Sequence, residues 1–288
     1  MLPNFLIIGA QKAGTTSLYH YVRDHPQVFM SRPKEPDFFI AERNWARGRE
    51  WYVGLFDGAT DAVAIGEASV CYTMDPTYAG VPARISGMVP EARLIYVVRE
   101  PVERMRSEYL HLRYLRKRFP KIEPEHLPIR RALLEHPQYL WSSRYAHQIE
   151  RFLEYFPRER LLVIVAEDLR DRRRETLRRV LTFLRVDPDW EPEALGEEFN
   201  RTGETSRRTP EARRLDRIPG FRRAIAAVPL GVKRGLAPRL GLLDAGEKQL
   251  AKGGVSDDLR ERLERELRED VHRLHEYIRP PFDGWGIA

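Results

Sequence analysis

Phe5-Leu6-Ile7-Ile8-Gly9-Ala10-Gln11-Lys12-Ala13-Gly14-Thr15-Thr16 decides the fold. The apolar run reads as a buried strand, Gly9 to Gly14 as a tight loop, and residues 15–24 as a helix that His25-Pro26 ends. The same rhythm recurs downstream. Strands are predicted at 28–30, 62–65, 93–98 and 161–166, and helices at 76–88, 101–118, 143–155, 171–184 and 257–278, with Pro101 at a favourable first helical position. Residues 120–137 are charged and proline-containing and read as a surface wrap, and the strand signal stops after residue 184. Strand–helix alternation of this kind predicts an α/β fold: a mostly parallel central sheet with helices on both faces. In such sheets ligands lie at the carboxyl ends of the strands.

The bulk numbers agree with a globular chain. It has 288 residues, 42% hydrophobic and 32% charged, enough for a real core under a well-solvated surface. The net charge of +6 favours an anionic ligand without arguing for nucleic acid. The excess is local: residues 201–239 hold eleven basic and three acidic side chains. The single cysteine, Cys71, excludes an intrachain disulfide and a Cys-rich metal site and suits a reducing compartment. With no signal-peptide pattern and no long apolar run, a cytoplasmic location is expected.

Two segments carry anion-binding chemistry. In the opening loop, Gly9 and Gly14 have the spacing of a Walker A loop, but the lysine sits at position 12 and Thr15-Thr16 stand where Lys-Ser/Thr would be. Loop amides, a helix N-terminus, threonine hydroxyls and the Lys12 charge all suit a phosphate; the bland alternative is an ordinary strand-to-helix turn. The displaced lysine, and the lack of an apolar strand ending in an Mg²⁺-binding Asp, point to phosphate binding without metal-assisted phosphoryl transfer. The second segment is the strand at 93–98 running into Arg99-Glu100-Pro101, with Ser107 about two turns into the next helix. An Arg fork and a hydroxyl match a phosphate monoester. Otherwise Arg99 pairs with Glu100 or Glu103 and Ser107 is a surface residue.

With these residues in view, the chain resembles the PAPS-dependent sulfotransferases, especially the branch containing the heparan sulfate sulfotransferases and related bacterial enzymes. Gln11-Lys12-Ala13-Gly14-Thr15-Thr16-Ser17-Leu18 resembles the family's 5′-phosphosulfate loop, and Arg99 through Ser107 and Tyr109 its 3′-phosphate element. His25-Pro26, Lys34-Glu35-Pro36-Asp37-Phe38-Phe39, Glu167-Asp168-Leu169 and Phe183-Leu184 also match. The resemblance implies a three-layer sandwich of the P-loop kinase type. It further implies PAPS as donor, PAP as product and no metal. Lys12 is then the contact to the sulfuryl group and bridging oxygen, and Glu35 the general base. Read without the resemblance, Glu35 is a loop carboxylate paired with Lys34 or Arg32. Lys34 either orients donor or acceptor or is a solvated lysine. Gly66-Glu67-Ala68-Ser69-Val70 stands where the heparan-type enzymes carry Glu-Lys-Ser/Thr-Pro, so the family lysine is missing. Glu67 and Ser69 are expected to touch the acceptor, or Glu67 to be satisfied by a neighbouring Arg. Arg201, Gly203 and Arg207 fall where the family has a loop closing over the 3′-phosphate and adenine.

One sulfotransferase domain over 1–288 is expected, with an α/β core at 1–190, a basic loop and helical lid at 191–250, and a C-terminal helix at 251–288 packed on the core. The basic, apolar mixture at 213–243 fits a lid or a peripheral membrane contact. A small-molecule, lipid or glycan acceptor is expected, and no nucleic acid. His111 is a secondary candidate for the base, since some small-molecule sulfotransferases use a histidine. The competing readings are a P-loop nucleotide or small-molecule kinase and a non-catalytic nucleotide-binding protein.

Overall fold

The computed structural model describes residues 1–118, 127–196, 207–208, 243–244, 254–278 and 282–288. The chain falls into two compact units, one of Met1–Phe199 with Val255–Ala288 and one of Asn200–Gly254. The first unit carries five strands: β1 (Phe5–Gly9), β2 (Val28–Met30), β3 (Ala64–Ala68), β4 (Arg93–Val98) and β5 (Leu161–Val165). All pair in parallel, in the order β2-β3-β1-β4-β5. Every residue of β1 and β3 is buried, as a sheet covered on both faces requires. Each large apolar side chain so buried contributes about 1.5–3 kcal/mol relative to exposure.

The helices are α1 (Thr15–Arg23), α2 (Gly48–Gly54), α3 (Val81–Met88), α4 (Pro101–Arg118), α5 (Ile129–Glu135), α6 (Pro137–Trp141), α7 (Tyr145–Leu153), α8 (Ala166–Asp171), α9 (Arg173–Leu184) and α10 (Asp257–Leu274). A main core joins the sheet to residues of α1, α3, α7 and α9. A second core is formed by Val102, Met105, Leu133, Tyr139, Leu263 and Leu267, so α4, α5, α6 and α10 pack together. On α10, Leu259, Leu263 and Leu267 recur at helical spacing on the buried face.

The strand order places the ligand crevice. From β1 the chain crosses toward β2; from β4 it continues toward β5. Neighbouring strands whose connections leave in opposite directions open a crevice at their carboxyl ends, here between β1 and β4. Lys12 follows the first strand and Arg99 the second.

Several predicted elements shift. Helix α3 begins at Val81, five residues later than expected, because left-handed Gly80 (φ 72°) caps it. Helices α2, α5, α6 and α8 were not predicted. Gly48 and Gly54 end the first, and Pro128 and Pro137 bracket the second, masking a short amphipathic signal. In the second unit, β6 (Arg207–Arg208) and β7 (Leu243–Asp244) pair antiparallel, although no strand was expected after residue 184. Two-residue strands are too short to show an alternation. The expected membrane-contact segment at 213–243 lies outside the described residues except Leu243.

Candidate active site

The loop after β1 is built on left-handed backbone. Lys12 has φ 68° and Gly14 φ 94°, and Gly14 starts α1 with no side-chain cap. A non-glycine residue held there costs about 1–3 kcal/mol and persists only where its surroundings fix it. One such restraint is visible: Arg99 Nη1 donates to the Lys12 carbonyl at 3.3 Å. The two cationic residues are therefore neighbours at the ends of β1 and β4. Burial, and then the Arg99 charge, pull the Lys12 ammonium below its ordinary value, against the opposing pull of Glu35 and Glu108. Glu100 and Glu103 pair with Arg260, at 3.2 and 2.7 Å, rather than with Arg99.

Behind these residues stands an ion pair that the sequence reading did not single out. Arg104 is fully buried on α4 and donates to Glu108 at 2.8 Å, to Ser143 Oγ at 2.7 Å and to the Tyr139 carbonyl at 2.8 Å. Its Nη1 also reaches the Gln11 carbonyl at 3.5 Å, tying the loop to α4. Ser107, also on α4, is 2% exposed and hence not a surface residue. The Arg99 carbonyl accepts from Tyr145 Oη at 2.7 Å. Glu167 accepts from the Glu100 amide and from Trp285 Nε1, both at 3.3 Å, so the C-terminal segment braces the turn after β4. The i, i+4 spacing of Arg104 and Glu108 was the only sequence clue to this support.

The segment after β2 lies along the end of β3. Ser31 N donates to Gly66 O at 2.9 Å and Glu35 N to Ala68 O at 3.0 Å. Glu35 (φ 59°) and Asp37 (φ 48°) are both left-handed, and the Glu35 side chain is exposed. Lys34 Nζ donates to Glu35 Oε1 at 2.9 Å and to Thr16 Oγ1 at 3.0 Å. The Lys34–Glu35 pair weighed from the sequence is thus present, and Lys34 bridges the carboxylate to the start of α1. His111 on α4 also feels Lys12 and Glu35; burial first, then Lys12, holds its imidazole down to about 4, so it is neutral near pH 7.

Glu67 and Ser69 require a correction. Both were expected to touch the acceptor, and both are 0% exposed. Glu67 points into the core, where Tyr52 Oη (3.0 Å), Tyr72 Oη (2.7 Å) and Ser69 Oγ (2.6 Å) donate to it. Among the described residues no arginine satisfies it. Burial raises its carboxyl to about 7, against the pull of those three hydroxyls. Arg201 and Gly203 lie outside the described residues, and of Arg207 only the backbone, in β6, is described. Gln11, Ala13, Thr15, Thr16 and Ser17 all lie on the loop or the first turn of α1, with Ala13 and Thr15 buried.

Residues 2–205 match the sulfotransferase domain family. The chain belongs to that family. Among curated relatives, it is 32% identical over 207 residues to the human bifunctional heparan sulfate N-deacetylase/N-sulfotransferase 3, covering 66% of this chain and 23% of that protein. It is 34% identical over 187 residues to human heparan sulfate glucosamine 3-O-sulfotransferase 3B1, covering 64% and 46%. The sulfotransferase-family chain thus spans from about a quarter to a half of the length of these relatives. A solved sulfotransferase from Alicyclobacillus acidocaldarius superposes with a TM-score of 0.67 at 26% identity, over 99% of each chain. The sulfotransferase domain of the curacin biosynthetic pathway shares the fold at 16% identity, TM-score 0.50.

Proposed function

We propose that this chain transfers a sulfuryl group from PAPS to an acceptor hydroxyl or amine, with Glu35 as general base and without a metal. The observation that carries the reading is the convergence of Lys12 and Arg99, joined through the Lys12 carbonyl, at the switch point between β1 and β4. The residues present fit a doubly phosphorylated adenosine. Loop amides, Thr15 and Thr16 suit its 5′-phosphate, and Arg99 with buried Ser107 its 3′-phosphate.

In a single in-line displacement, Glu35 accepts the proton of the attacking group as its bond to sulfur forms. The bond from sulfur to the bridging phosphate oxygen breaks, and PAP leaves. Lys12 offsets the charge that grows on that oxygen. Lys34 holds Glu35 near the start of α1. The acceptor class is a small molecule, lipid or glycan; the heparan sulfate acceptors belong to the relatives' names.

A transfer assay with PAPS against a metabolite extract, read by mass spectrometry for products heavier by one SO₃, tests the reading. Transfer that survives EDTA is expected, whereas a P-loop kinase would lose activity. Arg99→Ala should weaken PAP binding about tenfold to a hundredfold, the worth of a charge-assisted contact; unchanged affinity would remove Arg99 from the nucleotide site.

A further inference from the structure

Directly beneath the segment that carries Glu35 lies a buried polar cluster for which phosphate and acceptor binding have no use. Its centre is Glu67, whose two oxygens take three hydroxyl donors. Two of those hydroxyls have a second task. Ser69 Oγ accepts from the Asp37 amide at 3.0 Å, and Tyr72 Oη accepts from the Phe39 amide at 3.4 Å. Tyr52 Oη, on α2, is given no such loop amide.

The hydrogen-bond accounting is directional. Each hydroxyl has one proton. When Glu67 is ionised, above about pH 7, Ser69 and Tyr72 give theirs to the carboxylate, their lone pairs are left facing the loop, and the two amides fill them. A group at position 67 that donated instead would turn a hydroxyl around and aim its proton at the amide it now accepts from. The loop in question holds left-handed Glu35 and Asp37, a conformation that only surrounding contacts can maintain. Those contacts include the Glu35 amide on Ala68 O, next to Glu67 in β3, and the two hydroxyls, beside Asn44 Nδ2 on the Pro36 carbonyl at 2.8 Å, Arg84 Nε on the Phe39 carbonyl at 2.7 Å and the Arg43–Asp37 ion pair. Aromatic packing of Phe38 on Tyr52 (4.3 Å, stacked) closes the cluster from the side.

We infer that Glu67 is a positioning residue: by orienting the hydroxyls of Ser69 and Tyr72 it fixes the 35–39 segment, and with it the direction in which Glu35 presents its carboxylate. The inference rests on the reading of Glu35 as base. Glu67 touches neither donor nor acceptor, and it replaces the acceptor-contacting role expected from sequence.

The test compares Glu67→Gln, Ser69→Ala and Tyr72→Phe with Tyr52→Phe and Glu35→Ala. PAP affinity is measured by calorimetry, folding by thermal melting, backbone protection by amide exchange, and turnover with an acceptor from the mass-spectrometric screen. The first three variants should lower kcat roughly ten- to hundredfold, leave the PAP Kd within about twofold, and raise exchange at the Asp37 and Phe39 amides. Tyr52→Phe removes an equally buried hydroxyl from the same carboxylate but no loop contact, so its kcat and loop exchange should stay near wild type. Loss of kcat in Tyr52→Phe equal to that in Tyr72→Phe, or unchanged loop exchange in Glu67→Gln, overturns the inference. If instead Glu35→Ala retains turnover, the base assignment is what fails, and the exchange measurement still judges the role of Glu67 without any acceptor.

Discussion

The two halves of the cleft are supported in opposite ways. On the β1–β4 side, Lys12 and Arg99 rest on a buried ion pair, Arg104 with Glu108, whose guanidinium also serves three oxygens of the backbone and Ser143. On the β2–β3 side, Glu35 rests on a buried carboxylate that, among the described residues, is served only by neutral hydroxyls. The first arrangement brings its own countercharge into the core. The second leaves Glu67 without one, which is why burial wins and its carboxyl rises to about 7. The half proposed to hold an anionic nucleotide is braced by fixed charge, and the half proposed to carry the proton acceptor by groups that can turn.

The sharpest way to break this contrast is to neutralise each buried acid. Glu108→Gln strands Arg104 in the core and should cost about 3–5 kcal/mol in denaturant unfolding. Glu67→Gln leaves no stranded charge and should cost less, about 1–3 kcal/mol. The reverse order would mean that the two acids are not the different supports described here. A pH titration sharpens it further. Lys12 is depressed by burial and by Arg99, so it loses its charge at a lower pH than an ordinary lysine. PAP affinity should therefore fall on the alkaline side before pH reaches the usual lysine range, by about tenfold or more for one charge-assisted contact. Lys12→Met should flatten that limb; an identical alkaline fall in the variant would assign it elsewhere. The smallest effect belongs to the bridge between the halves. Lys34→Gln should change PAP affinity only a few-fold, since partly exposed pairs are worth about 0–1 kcal/mol. A larger loss in calorimetry would mean that Lys34 contacts the nucleotide itself.

The elements that carry the proposed anion site were legible in the sequence because their signals are local. An apolar run, a Gly-spaced loop, and Arg99 just before Pro101 occupy short windows, and the strands at 28–30 and 93–98 fall where the pattern puts them. Glu35 was found through resemblance rather than periodicity. The support under it was hidden, because Glu67 reads from sequence as an acceptor contact or an arginine's partner, and the hydroxyls that satisfy it come from α2 and from the turn after β3. Burial of a polar residue depends on partners brought in by the fold, which no short window contains. Trp285 was invisible for the same reason: its hydrogen bond to Glu167 joins segments 118 residues apart.

That last contact has a consequence for how the cleft comes into being. The turn bearing Arg99 is steadied by Lys12, earlier in the chain, and by Trp285, much later, through Glu167. During synthesis the sheet strands up to β5 are available long before Trp285 emerges. A nascent chain can thus own a finished sheet while the turn bearing Arg99 still lacks its second brace, which arrives only with Trp285.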